Sequence, residues 1–136
     1  MELYQSTIHE LQEKIKAGEV SASDIVASVF RRIEGVEGAI HAYITLMQEQ
    51  AFEQAALADA VIKRGDIKEL TGIPIALKDI LCTRGIMTTC GSRILANYIP
   101  PYDATVVEKL RDLGAIFTGK TNMDEFAMGS SNETSY

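Results

Sequence analysis

The stretch DATVVEKLRDLGAIFTGKT, residues 103–121, decides the fold class, because its pattern changes from helical to strand-like at one glycine. Val106, Leu110 and Leu113 fall on one face of a helix that Asp103 caps, and Gly114 follows its last turn. The residues that follow, AIFTG, have the apolar character of a buried strand. A helix that leads directly into a strand predicts an α/β layer fold.

Residues 114–121 also match the phosphate-binding pattern G-x-x-x-x-G-K-[ST] letter for letter. A genuine phosphate loop follows a strand and opens a helix, so that its backbone amides point at the phosphate. Here the glycine closes a helix, and the middle residues form a strand whose amides bond within the sheet. We therefore interpret Lys120 as a charged residue at the exit of the strand. A phosphate-loop NTPase remains a weak alternative, testable by nucleotide binding that depends on Lys120.

Residues 1–65 are predicted to be helical. Capping boxes at residues 7–10 and 21–24 begin two helices, and the second is expected to end near Gly35. An alanine-rich stripe predicts a third helix over residues 46–63. Farther along, GIPIALKDI (residues 72–80) is expected to be a buried strand whose first residues are not fully paired, because of Pro74. NMDEFAMG, residues 122–129, resembles a short helix before a Ser-rich turn.

Composition limits the classes of function. The chain has 136 residues and a net charge of -6, which argues against a basic surface that binds nucleic acid directly. It contains no apolar run of membrane-spanning length and no signal-peptide pattern, so we expect a cytoplasmic protein without a membrane partner. Cys82 and Cys90 are expected to be reduced thiols, and two cysteines do not make a zinc site. His9 and His41 are interpreted as surface residues, and no metal site is predicted.

Lys78 is the sharper candidate for chemistry. It lies near the end of the apolar stretch at residues 72–80, where few water contacts would favour the neutral amine that acts as a general base. Two plainer interpretations remain open: Lys78 pairs with Asp79, or it merely emerges at the end of a strand. Adjacent strand residues point to opposite faces, so a direct pair with Asp79 is not the natural geometry.

The stretch MGSSNETS, residues 128–135, is the second candidate. Serine and glycine in a turn present hydroxyls and amides to a ligand, although such residues more commonly only form the turn.

Four segments, GIPIALKDI, TTCGSRIL, PPYDATVVEKLRDLGA and GKTNMDEFAMGSSNETS, resemble the amidase signature family, and within it the glutaminase subunits of tRNA-dependent amidotransferases. The resemblance covers essentially the whole chain and implies one large α/β/α domain around a mixed sheet. Residues 1–65 correspond to its helical segment and residues 72–136 to the start of its α/β core. It also implies a Ser, cis-Ser and Lys triad, in which Lys78 matches the lysine that takes a proton from the cis-serine and so activates the nucleophile.

The resemblance further implies partners. The family member releases ammonia from glutamine, and subunits B and C complete a complex that converts Glu-tRNA(Gln) or Asp-tRNA(Asn) to the amidated form. ATP and Mg²⁺ are used on a partner subunit, and no cofactor is expected on this chain.

Both family serines belong to a Gly/Ser-rich segment that is expected beyond Tyr136. The chain is therefore expected to be the N-terminal portion of the domain, with one member of the triad. Gly129, Ser130 and Ser131 match the family's turn at the border of the substrate pocket. We expect the 136-residue chain by itself to be marginally stable and inactive. The alternatives are a fragment of another amidase that acts on small amides, and a non-catalytic remnant or binding protein.

Overall fold

The computed structural model describes residues 2–136. Within them, four α-helices and three strands follow in the order α1 (Ile8–Lys16), α2 (Ala22–Ile40), β1 (Tyr43–Leu46), α3 (Gln48–Arg64), β2 (Pro74–Lys78), α4 (Thr105–Asp112) and β3 (Ile116–Thr121). Single 3-10 turns occur at Leu3–Gln5, Arg93–Leu95 and Glu125–Ala127. The predicted α/β class is confirmed. No helix among these residues has both the length and the apolar character needed to cross a membrane.

The three strands form a mixed sheet with the order β1-β3-β2. β3 is the central strand; it pairs parallel with β2 and antiparallel with β1, and five of its six residues are buried. β2 lies at the edge, and only Leu77 of its residues is buried, so the prediction of a buried strand here is wrong for this chain. The edge position explains how Pro74, which has no amide hydrogen, is tolerated.

Helices pack on both faces of this sheet. Successive residues of β3 point to opposite sides and therefore contact different helices. Ile116 belongs to a core cluster with α2 and with the alanines of α3. Phe117 belongs to a second cluster with Leu77 of β2 and Val107 of α4. The small alanine side chains allow α3 to approach closely, as its sequence predicted. The result is an α/β/α arrangement in which the carboxyl ends of β2 and β3 lie at the same edge.

The capping boxes predicted for α1 and α2 are confirmed, since Thr7 and Ser21 accept from the amides of Glu10 and Asp24. The predicted end of α2 near Gly35 is wrong. The helix continues to Ile40, and His41 ends it in the left-handed conformation, with φ of 52°. One glycine in a helix lowers stability without stopping the helix.

The start of α3, the cap and buried face of α4, and the helix predicted after β3 also need correction. Residues 43–46 form β1, and α3 begins only at Gln48. Ala104, not Asp103, occupies the N-cap of α4, and Asp103 instead accepts hydrogen bonds from Arg84 and Arg111. Val107, rather than Val106, faces the core. The short helix predicted at residues 122–129 is only a 3-10 turn.

Candidate active site

Lys78 is the last residue of β2, and its side chain is exposed. The expectation that it has few water contacts is therefore wrong in these 136 residues, because β2 is an edge strand. The adjacent Asp79 points the other way and is fully buried. The alternation argument against a direct Lys78–Asp79 pair is confirmed, since Asp79 forms its ion pair with a different lysine. Lys78 thus emerges at the carboxyl end of a parallel strand, a position from which side chains reach ligands in α/β folds.

The buried lysine is Lys120 of β3. Its Nζ lies 3.2 Å from Asp79 Oδ1, and neither side chain has exposed surface. The contact lacks the alignment of a hydrogen bond, so Oδ1 interacts with the ammonium mainly as a charge. Lys120 Nζ also donates to Leu81 O at 2.9 Å and to Thr88 Oγ1 at 2.8 Å. Burial lowers the pKa of Lys120, and the Asp79 charge opposes that effect. Lys120 does lie near the end of β3, as interpreted, but it is buried and paired with Asp79 and does not emerge from the strand.

The segment between Asp79 and Ser92 folds around this ion pair. Asp79 Oδ2 accepts from the Thr89 amide at 2.8 Å and from its hydroxyl at 2.6 Å. The Cys90 amide returns to the backbone oxygen of Asp79 at 3.2 Å. The segment after β2 therefore starts at Asp79, the residue that follows Lys78, and returns to it at Thr89 and Cys90.

The same segment contacts the one that follows β3. The Phe126 amide donates to Cys90 O at 2.9 Å, and Ser92 Oγ donates to Glu125 Oε1 at 2.6 Å. Phe126 holds a left-handed backbone, with φ of 51°. These contacts join the segments that follow two parallel strands. Lys78 ends the first strand, and the Ser-rich turn follows the second.

Gly129, Ser130 and Ser131 lie in an exposed turn that Asp124 organises. The buried carboxylate of Asp124 accepts from the amides of Ser131 at 2.6 Å and Thr134 at 3.1 Å, and from the Thr134 hydroxyl at 3.0 Å. The amide of Thr134, followed by the amide of Ser131, holds the pKa of Asp124 below its ordinary value. Across residues 2–136, no hydrogen bond joins Lys78 to this turn, although Lys78 ends β2, the turn follows β3, and both strands end at one edge of the sheet.

Residues 114–121 do not form a phosphate loop. Gly114 follows the end of α4 with φ of 88°, and residues 116–121 are the central strand, which pairs on both sides. The amides that would hold a phosphate already have partners: Ala115 N donates to Leu110 O, Phe117 N donates to Gln54 Oε1, and β3 pairs in the sheet. The lysine is buried against Asp79. The argument from element order is confirmed.

The remaining candidate residues have plain roles. Cys82 and Cys90 are free, half-buried thiols, and burial, followed by the Asp79 charge, raises the pKa of Cys90. His9 and His41 are exposed, as predicted. In the part of the chain that the structure describes, no three His, Cys, Asp or Glu side chains are grouped so that they could hold a metal ion.

Sequence reasoning missed Asp79, Lys120 and Asp124 as organising residues. A signal for Lys120 was present, because a lysine in a run of buried residues needs a partner. No local pattern identifies that partner, since Asp79 lies in a different strand connection.

The chain resembles known proteins along most of its length. The family model named Amidase matches residues 24–136. The chain is 69% identical, over all 136 residues, to the A subunit of glutamyl-tRNA(Gln) amidotransferase from Syntrophus aciditrophicus (strain SB), and 57% identical to the protein of that name from Geobacter sp. (strain M21). It spans 28% of the length of each.

A solved structure shows the same fold. The native peptide amidase of Stenotrophomonas maltophilia superposes with a TM-score of 0.84 at 32% identity, over 90% of this chain and 26% of that one. The family match extends over most of the chain and includes Lys78, the segment after it and the Asp124 turn. This protein therefore belongs to the amidase family.

Proposed function

We propose that these residues are the N-terminal part of the glutaminase subunit of a tRNA-dependent amidotransferase. The observation that carries the proposal is the 69% identity, along the entire chain, to the A subunit of a glutamyl-tRNA(Gln) amidotransferase. The exposed position of Lys78 at the carboxyl end of β2 supports it, because a base must reach its substrate.

In this proposal Lys78 is the general base of a serine amidase. Its amine accepts a proton through a cis-serine from a serine hydroxyl, and both serines belong to protein outside these 136 residues. The serine oxygen attacks the side-chain amide carbon of glutamine, and the C–N bond breaks as ammonia leaves with a proton. Water then hydrolyses the ester to glutamate. Gly129, Ser130 and Ser131 border the pocket in which this occurs.

The ammonia serves a complex with two further subunits, B and C, in the cytoplasm. A partner subunit uses ATP and Mg²⁺ to activate the carboxylate of Glu-tRNA(Gln), and ammonia converts it to Gln-tRNA(Gln). This division of labour suits a chain of net charge -6, which leaves most of the tRNA contact to other subunits. By itself the 136-residue chain has no amidase activity, because it holds one of three triad members.

The test uses the full-length protein in complex with its partner subunits. Lys78→Met is expected to lower ammonia release from glutamine by at least about a hundredfold, the range for losing a general base. The same complex should still amidate Glu-tRNA(Gln) when ammonium chloride replaces glutamine, because the partner's step does not need Lys78. Lys109→Met, on the exposed side of α4, is the matched control. Wild-type glutamine hydrolysis by a folded Lys78→Met complex would contradict the proposal.

A second candidate is an amidase that acts on other small amides, favoured by the likeness to the peptide amidase. The lower identity, 32% against 69%, places it behind the first. Hydrolysis of peptide amides by the full-length protein without partner subunits, and no activity on glutamine in their presence, would establish it instead.

A further inference from the structure

The ion pair of Lys120 and Asp79 includes the residue that follows the candidate base in the chain. Asp79 follows Lys78 in the chain, and both members of the pair are fully buried. A fully buried lysine is rare and needs compensation for its lost hydration. Here one carboxylate, one carbonyl and one hydroxyl surround the ammonium, all within 3.2 Å. Packing alone does not require this polar arrangement, because a leucine or methionine side chain would fill the same space.

The pair also determines where the backbone after β2 goes. Lys120 Nζ donates hydrogen bonds to Leu81 O and Thr88 Oγ1, and Asp79 Oδ2 accepts hydrogen bonds from the amide and hydroxyl of Thr89. The Asp79 amide donates to Thr121 O at 3.1 Å, so the residue next to Lys78 is tied to β3 as well. Through Cys90 O, which accepts from Phe126, the same unit reaches the segment that carries Gly129–Ser131.

We propose that Lys120 and Asp79 are positioning residues for Lys78: the pair fixes the backbone from which Lys78 projects and keeps the net charge beneath it at zero. This inference rests on the proposed role of Lys78 and assigns a task to two buried groups that the chemistry itself does not use. The other titratable groups near Lys120 are the thiols of Cys82 and Cys90, in the segment after β2. Loss of either member of the pair therefore leaves the other without its counter-charge, at Asp79 next to Lys78 in the chain or at Lys120 on the neighbouring strand.

The two single variants must then shift the pH dependence of activity in opposite directions. Lys120→Met leaves a buried carboxylate, which favours the protonated amine of Lys78 and moves the acidic limb of the kcat/KM profile for glutamine to higher pH. Asp79→Asn leaves a buried ammonium and moves the same limb to lower pH. We expect shifts of up to about one pH unit, because the altered charge lies at Asp79, the residue next to Lys78, or at its partner Lys120 on β3. A purely structural role lowers activity but does not produce shifts of opposite sign.

The experiment measures ammonia release from glutamine against pH for the full-length protein in its complex. The series contains wild type, Lys120→Met, Asp79→Asn, the double variant, Lys78→Met and the surface control Lys109→Met. The double variant restores neutrality, so its acidic limb should return to the wild-type position while kcat stays about tenfold low, because Leu81 and Thr88 lose their donor. Coincident acidic limbs for wild type and both folded single variants would overturn the inference.

Thermal unfolding identifies any variant that does not fold. If neither single variant folds, the double variant and Thr89→Val decide, because both leave the net charge unchanged. Each is expected to lower kcat with an unchanged KM and acidic limb, and wild-type kcat in both overturns the inference. Lys78→Met separates failure of the proposed function from failure of the positioning role. Wild-type activity in Lys78→Met would contradict the proposed function. An inactive Lys78→Met, together with unshifted acidic limbs in Lys120→Met and Asp79→Asn, would contradict only the positioning role.

Discussion

Lys120 Nζ, on β3, lies 3.2 Å from Oδ1 of Asp79, the residue after β2, and neither side chain has exposed surface. A buried pair of this kind contributes little compared with an apolar pair of the same shape, but each partner is costly to leave alone.

Removing one member of the pair destabilises the protein far more than removing both. We expect Lys120→Met or Asp79→Asn to lower the free energy of unfolding by about 3–5 kcal/mol, and the double variant to lower it by clearly less than the sum. Urea denaturation measures all three. Lys14→Met, which breaks the exposed Lys14–Glu19 contact at 3.5 Å, is the control and should lose less than about 1 kcal/mol. Additive losses in the double variant would show that the charges are not coupled.

Lys78 and Lys120 show how far the sequence could predict the site. An apolar stretch around Lys78 suggested burial, but the sheet places that strand at its edge and β3 at its centre. Local signals, such as capping boxes and the change at Gly114, predicted elements correctly because their causes lie within a few residues. β1 was missed because four residues carry little periodicity, and its pairing with β3 joins segments more than 70 residues apart. How deeply a residue is buried depends on such long-range pairings, so the sequence could not show that Lys120 and Asp79 are buried and Lys78 is exposed.

Gly35 provides a prediction that follows directly from the corrected end of α2. It lies inside the helix, and an added Cβ meets no atom within 4 Å. Gly35→Ala is therefore expected to stabilise the protein by about 0.5–1 kcal/mol, because alanine loses less backbone entropy in a helix. Thermal unfolding measures the gain. A loss of stability would mean that the helix ends before this residue in solution.

Asp124 gives the protein an acid-sensitive contact. The amides of Thr134 and Ser131 hold its pKa below the ordinary value, so the folded state favours the carboxylate. Its contribution is fully present above the unfolded pKa, near 4, and is lost as pH falls from there through the lower folded pKa. Asp124→Asn should therefore be less stable than wild type at pH 7, with a difference that shrinks below about pH 4. Thermal unfolding between about pH 3 and 7 measures it, with Glu53→Gln on α3 controlling for one lost charge. A difference that is constant across this range would contradict the assignment.

Gly129 tests whether the Asp124 turn borders the substrate pocket. A Cβ at this position would overlap the Asp124 carboxylate, so Gly129→Ala must displace either the turn or the carboxylate. We expect a stability loss of about 1–3 kcal/mol, as for other overpacked positions, and a KM for glutamine raised about tenfold, since that shift corresponds to roughly 1.4 kcal/mol of lost binding. Steady-state kinetics of the full-length protein in its complex measures KM, and Gly35→Ala is the matched substitution in open space. If Gly129→Ala lost stability but kept a wild-type KM, the turn would be structural and would lie away from the substrate.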